Sequence, residues 1–176
     1  RALGDRAGGR SVTSLVLDLS LIEAAHLTDL VQQFLSLLQD TVDEEAADDP
    51  AVARLVPDAY RDDADAADEF RRLTQADLLD RRRDDAALVA TTLRRDGEEL
   101  TPESIDAQDA ASTFETRLGP AEAAAWLRTL TAIRLVLATR LGITDDADDV
   151  AHPRFGVYNW LGYRLDGLVE ALDSAP

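Results

Sequence analysis

Arg134 has the most unusual setting of any charged residue in this 176-residue sequence. It lies within the apolar run LTAIRLVLA, where a buried guanidinium needs a carboxylate or several carbonyl groups as partners. The expected partners are Asp166 and Glu170 on the last predicted helix. An arginine–carboxylate pair with aromatic neighbours could line a small pocket, and the aromatic candidates are Trp126, Tyr158, Trp160 and Tyr163. A simpler interpretation, an ion pair at the edge of the core with aromatic packing, is favoured over a pocket.

A second candidate for chemistry is the acidic loop Asp145–Asp149, which with His152 could offer ligands to Ca²⁺ or Mg²⁺. The loop lacks the residue order and the distal glutamate of an EF-hand, so a specific metal site is disfavoured. Two histidines in the chain argue against catalytic zinc, and His26 is interpreted as a packed or surface residue. The run Arg81–Arg83, followed by two aspartates, is interpreted as a salt-bridged face rather than an anion site. We therefore predict no catalytic residue, no metal and no cofactor.

Charge and composition narrow the classes of function. Thirty-five acidic and 18 basic residues give a net charge of −17, which repels nucleic acids and anionic membranes. A solvated acidic surface is favoured over a mimic of DNA. The sequence contains neither cysteine nor lysine, which excludes a thiolate nucleophile, a P-loop and a lysine Schiff base. No apolar run is long enough to span a membrane, so we expect a cytoplasmic protein.

The elements that must position these residues are mostly helices. The clearest helix runs from Gly119 to Gly142, with a proline in its first turn, a glycine cap at its end and a wide apolar face, so we predict a central helix. Alternation in Ser11–Leu19 predicts a strand, as part of a small hairpin. The motif Ser20–Glu23 predicts a capping box that opens a helix to about Gln39. Further predicted helices begin at Pro50, near Tyr60, at Thr74, at Thr101 (to Leu118) and near Arg154.

The predicted fold class is all-α. We expect residues 1–176 to form a single bundle-like domain of six or seven helices, with a small β element in residues 1–19 and helices in residues 20–173.

Three segments together resemble a known family. They are DPAVARLVPDAYRDDADAADEFRRLTQADLLDRR, AAAWLRTLTAIRLVLATRLGI and VYNWLGYRLDGLVEAL. The chain resembles, over Leu15–Leu172, the actinobacterial domain-of-unknown-function family two thousand and seventeen. The resemblance implies a mostly helical cytosolic protein with no established activity, often encoded beside the Clp protease adaptor. The family has no agreed catalytic residues to transfer.

The leading functional hypothesis is a non-enzymatic interaction or regulatory protein, linked by that resemblance to Clp-type proteolysis. The alternative is a hydrolase or other small-molecule enzyme that uses an arginine–carboxylate–aromatic pocket between the last two long helices. We expect a protein partner and no binding to nucleic acid or to a membrane. A homodimer is retained as an alternative. A concave pocket holding Arg134, Asp166 and a tyrosine would favour the enzyme, whereas an apolar patch would favour a partner surface.

Overall fold

Five α-helices and a two-stranded antiparallel sheet make up the part of the chain that this computed structural model describes, which is residues 14–40, 49–56, 64–143 and 152–174. For residues 64–73 only the backbone is described. The helices in chain order are α1 (Leu21–Asp40), α2 (Pro50–Ala53), α3 (Ala64–Thr92), α4 (Pro120–Leu141) and α5 (Gly156–Asp173). The strands are β1 (Leu15–Ser20) and β2 (Thr113–Leu118), and short 3₁₀ turns cover Pro102–Ser104 and Pro153–Phe155. The mainly helical fold is therefore confirmed, whereas the count of six or seven helices is not.

The sheet pairs β1 with a strand almost a hundred residues away in the chain. Leu15 lies opposite Leu118, and Ser20 lies opposite Thr113. The predicted strand is confirmed over β1, but the first half of the predicted hairpin falls in residues 1–13, outside the described residues. The predicted helix over Thr101–Leu118 is wrong, since its last six residues form β2. The prediction used Phe114 and Leu118, whose spacing of four residues fits a strand as well as a helix. Burial alternates residue by residue along β2, as a strand requires.

α3 is one continuous helix where the sequence predicted two. The cap-like motif that begins at Thr74 lies well inside it. No glycine or proline occurs between Ala64 and Thr92, so nothing in the backbone ends the first helix before the second begins. A turn follows α3, where Asp96 and Gly97 both have positive φ.

α4 is the central helix, as predicted. It packs against each of the other four helices and against β2. Gly142 ends it in the left-handed conformation with φ of 71°, as the predicted glycine cap requires. Most of the buried apolar residues form one cluster to which both strands and all five helices contribute. Within the described ranges, no helix combines the length and apolar character needed to cross a bilayer.

Two arginines of the Arg81–Arg83 run hold the ends of other helices. Arg82 Nη2 donates a hydrogen bond to the carbonyl of Leu55, just after α2, at 2.9 Å. Arg83 Nη2 donates to the carbonyl of Leu38, in the last turn of α1, at 3.1 Å. Both hydrogen bonds reach carbonyl groups at, or just beyond, the C-terminal end of a helix. The run therefore fastens α3 to α1 and α2, and only Arg83 also forms a described ion pair, with Asp80 at 2.5 Å.

We predict that Trp126→Ala lowers the free energy of unfolding by about 3–5 kcal/mol, because it leaves a cavity in the core. The side chain is 1% exposed, and its indole N–H donates to Thr92 Oγ1 at 2.9 Å. Urea denaturation followed by circular dichroism measures the effect. Tyr163→Ala is the matched control, because Tyr163 is 71% exposed and its loss should cost less than about 1 kcal/mol. A Trp126→Ala variant as stable as this control would contradict the assignment of Trp126 to the core.

Candidate functional site

The candidate site is built on the turn that joins β1 to α1. Ser20 ends the strand, and Glu23 lies in the first turn of the helix. Glu23 Oε2 accepts hydrogen bonds from the amide and the hydroxyl of Ser20, each at 2.9 Å, and the Glu23 amide donates to Ser20 Oγ at 3.4 Å. This is the predicted capping box, which satisfies amides that a helix start leaves without partners.

The other oxygen of the Glu23 carboxylate reaches a distant part of the chain. Oε1 accepts a hydrogen bond from the indole N–H of Trp160 at 2.9 Å and forms an ion pair with Arg164 Nη2. Both donors lie on α5, one helical turn apart. We call Ser20, Glu23, Trp160 and Arg164 the Glu23 cluster. One carboxylate thus caps α1 and also binds α5.

The Glu23 cluster is shielded from solvent on most sides. The side chain of Glu23 is 27% exposed and that of Arg164 is 22% exposed. The Arg164 side chain lies beside Leu27, Trp126 and Leu168 at the edge of the core. Its guanidinium carbon also lies 5.9 Å from the ring centre of Trp160, within the range of a cation–π contact. Packing therefore restricts where the arginine can place its charge.

The hydrogen bonds control the ionisation of Glu23. Burial of the carboxyl group raises its pKa, but hydrogen bonds from the Ser20 amide, Arg164, Trp160 and the Ser20 hydroxyl outweigh this and lower the pKa from 4.5 to about 2. All four donors stabilise the charged form. Glu23 is therefore a carboxylate at every pH near neutrality.

A cleft of about 480 Å³ opens beside the Glu23 cluster, between α1 and the first turns of α5. We call it the α1–α5 cleft. Its apolar surface comes from Leu30, Val157 and Trp160, and Val157 is 48% exposed there. Its remaining lining residues are Glu23, His26, Asp29 and Gly156. A cleft that combines apolar side chains with the exposed carboxylate of Asp29 is suited to bind an apolar group that carries a positive charge nearby.

The structure places the four aromatic residues of the predicted site in four different settings. Trp126 lies in the core against Thr92. Trp160 belongs to the Glu23 cluster and lines the α1–α5 cleft. Tyr158 packs against Arg134, and Tyr163 is exposed to solvent, with its ring centre 5.7 Å from the Arg164 guanidinium carbon. Among the described clefts, none is lined by more than one of these four side chains.

The predicted ion pair of Arg134 with Asp166 or Glu170 is wrong. The half-buried guanidinium of Arg134 lies over the ring of Tyr158, with its carbon 4.2 Å from the ring centre, and against Gly162. Asp166 and Glu170 are exposed, and the ion pairs among the described residues do not join either one to Arg134. Each step of four residues along a helix turns the side chain by about 40° beyond a full turn. From Tyr158 and Gly162 onward, this rotation carries Asp166 and Glu170 away from α4.

Sequence reasoning missed the two residues that matter most to this geometry, the cleft residue Val157 and the cluster residue Arg164. It found Glu23, but only as a cap. A capping box is a local signal, whereas the contact of Glu23 with α5 depends on how α1 and α5 pack against α4. No pattern within either helix shows that contact, although an arginine one turn after a tryptophan is a signal for an arginine–aromatic cluster.

The histidines and the acidic loop that were considered as metal ligands form no second site among the described residues. His26 is exposed and lines the cleft. His152 is exposed, and its Nδ1 accepts a hydrogen bond from the amide of Arg154 at 3.2 Å. The acidic loop Asp145–Asp149 lies outside the described residues, and the residues that are described contain no group of three metal-ligating side chains.

Comparison with known proteins identifies the family of this helical chain. Residues 4–172 match the model of the family described as Domain of unknown function (DUF2017). The match covers nearly the whole chain, so the protein belongs to this family, as its sequence motifs predicted. Neither the curated proteins nor the solved structures gave a match.

We predict that Glu23 stabilises the fold only while it is ionised. Its pKa is lower in the folded state than in the unfolded state, so its contribution is fully present above pH 4.5 and is lost as the pH falls toward about 2. The shift corresponds to roughly 3 kcal/mol at most at neutral pH. Glu23→Gln should therefore be less stable than the parent at pH 6, and the difference should shrink between pH 4.5 and pH 3.

Urea denaturation at each pH measures this difference. Glu103→Gln, which removes an exposed carboxylate outside the cluster, controls for the change in net charge. If the gap between the Glu23→Gln variant and the parent stays constant from pH 6 to pH 3, the low pKa assigned to Glu23 is wrong.

Proposed function

We propose that this protein is a non-enzymatic interaction or regulatory protein that binds another protein in the α1–α5 cleft. The observation that carries the proposal is an open cleft of about 480 Å³ whose walls expose Leu30, Val157 and Trp160. Burying such surface in a complex is favourable by roughly 25 cal/mol per Å² of apolar area. Aromatic and aliphatic side chains in a pocket are typical anchors of protein interfaces.

The chemistry of Glu23 supports binding over catalysis. A general base works best when its pKa lies near the working pH, and a nucleophile needs a free lone pair. The pKa of Glu23 is about 2, and both of its oxygen atoms accept hydrogen bonds. This carboxylate is therefore suited to hold two helices together and poorly suited to accept a proton.

The second candidate is the small-molecule enzyme. The volume of the α1–α5 cleft favours an enzyme, because it falls within the range of volumes of small-molecule sites. The proposed pocket between α4 and α5 does not support it, because Asp166 and Glu170 are exposed while Arg134 packs on Tyr158. We retain binding of a protein as the better-supported function.

On the family resemblance alone, we also propose that the protein works in the cytoplasm and that its partner belongs to Clp-type proteolysis. The experiment below tests the second point, since a Clp adaptor or protease subunit captured through the cleft would support it. Capture of only unrelated proteins through the cleft would contradict it.

We predict that filling the cleft abolishes partner binding. Gly156 lines the cleft, has helical φ and ψ of −52° and −48°, and has nothing within 4 Å of the place where a Cβ atom would stand. Gly156→Phe should therefore fold normally and occupy the cleft. Gly167→Phe is the matched control, because Gly167 is a helical glycine of α5 with equally open space, outside the cleft lining.

The tagged parent and both variants are used to capture proteins from a lysate of the source organism, and the captured proteins are quantified by mass spectrometry. We expect at least one protein that the parent and Gly167→Phe capture equally and that Gly156→Phe captures about tenfold less, confirmed with the purified partner. Val157→Gln, which removes apolar surface without filling the cleft, repeats the test if Gly156→Phe is unstable. Equal capture by all variants would overturn the proposal.

A further inference from the structure

The α1–α5 cleft has the dimensions of a short helical docking site. Its lining residues on α1 run from Glu23 to Leu30, a span of eight residues and about 10 Å along the helix axis. On α5 they run from Gly156 to Trp160, little more than one turn. The cleft thus extends over about two turns of a partner helix, enough for apolar anchors at positions i and i+4.

The walls of the cleft favour a helix over an extended peptide. Residues 23–30 lie within α1 and residues 157–160 lie in the first turns of α5, so the described walls of the cleft contain no strand. An extended peptide gains much of its affinity from backbone hydrogen bonds to a sheet edge, and these walls offer none. A helix brings its own backbone hydrogen bonds and can lay its side chains into a groove between two other helices.

The charges around the cleft favour a cationic partner. Glu23 and Asp29 both line the cleft, but the charge of Glu23 is balanced by that of Arg164, so the exposed Asp29 supplies the unbalanced charge, and none of the described lining residues is an arginine. Arg164 lies close by, but its charge is paired with Glu23. Asp29 is exposed, and its Oδ2 accepts a hydrogen bond from Gln33 at 2.8 Å. The rest of the carboxylate is open to solvent and to a partner. The whole chain carries a net charge of −17, which attracts cations to the surface and speeds their association.

We propose that the partner of the α1–α5 cleft is a cationic amphipathic helix. One or two of its aliphatic side chains insert between Leu30, Val157 and Trp160, and a lysine or arginine one turn away pairs with Asp29. This inference rests on the proposed interaction function and adds the chemistry of the partner.

Three synthetic peptides of about 14 residues, long enough to form a few helical turns, test the proposal. The first is amphipathic, with leucines along one face and lysines elsewhere. The second replaces each lysine with glutamate, and the third keeps the lysines and replaces each leucine with serine. Fluorescence anisotropy of each labelled peptide measures its binding to the intact protein. We expect binding of the first peptide only, and weaker binding as NaCl is raised, because salt screens the charges.

Matched variants separate local recognition from the general attraction of an acidic protein. Asp29→Lys and Asp84→Lys replace exposed aspartates with lysine and change the net charge equally, but Asp84 lies on α3, outside the cleft lining. We expect Asp29→Lys to weaken binding of the first peptide about fivefold or more relative to Asp84→Lys, because a charge placed against its opposite contributes to recognition. Val157→Ser should also weaken binding, whereas Val169→Ser should not, since the two valines are similarly exposed at 48% and 45% and only Val157 lines the cleft.

Equal effects of the two lysine substitutions would show that attraction is general and would overturn the inference. Equal binding of the glutamate peptide would overturn the cationic chemistry, and binding of the serine peptide would overturn the apolar anchors. If none of the peptides binds but Gly156→Phe still loses a captured partner, the inference fails and the proposed function stands. If Gly156→Phe loses nothing, both fail.

Discussion

The ionised carboxylate of Glu23 is the constraint on which the cleft side of this structure depends. α1 and α5 lie at opposite ends of the chain, and α5 packs mainly on α4. The described polar contacts that join α1 directly to α5 are those of Glu23 with Trp160 and Arg164. A paired charge at the edge of a core is stabilising when its hydrogen bonds are complete, and costly when one partner is lost. Glu23 meets the first condition through four donors, whereas the Nε of its partner Arg164 is buried without a hydrogen bond among the described residues.

The position of this contact explains why a cleft exists beside it. The Glu23 cluster fixes α5 at the start of α1, and beyond it the lining residues His26, Asp29 and Leu30 remain in reach of solvent. Trp160 serves both features, since its N–H binds Glu23 and its ring lines the cleft. A loss of the carboxylate would therefore alter the shape of the cleft as well as the stability of the fold. The function that we propose depends on an interaction that is itself structural.

Local signals in the sequence predicted much of the fold. The capping box at Ser20, the proline start and glycine cap of α4 and the apolar stripes of α1, α4 and α5 each specify an element through residues close together in the chain. The errors arose where one pattern fits two structures. Phe114 and Leu118 suit a helix or a strand, and the choice is made by the pairing of β2 with β1, which is far away in the sequence.

The site was less predictable, because it is made of contacts between distant elements. The prediction placed Arg134 beside Asp166 or Glu170, with aromatic neighbours. These carboxylate partners were wrong, because Arg134 stacks on Tyr158 while Arg164 takes the carboxylate at the start of α1. Both arginines lie within helices that carry apolar stripes, so their sequence contexts are alike. Only the packing of α1 beside α5 distinguishes them.

A double-mutant cycle between Glu23 and Arg164 tests most directly whether this pair joins α1 to α5. Glu23→Gln removes the charge of the carboxylate, and Arg164→Met removes the guanidinium while keeping most of the apolar stem. The free energies of unfolding of the parent, both single variants and the double variant are measured with urea at pH 7. The structure predicts a coupling free energy of about 1–3 kcal/mol. If the destabilisations of the two single variants sum to that of the double variant within about 0.5 kcal/mol, the pair does not hold the helices together.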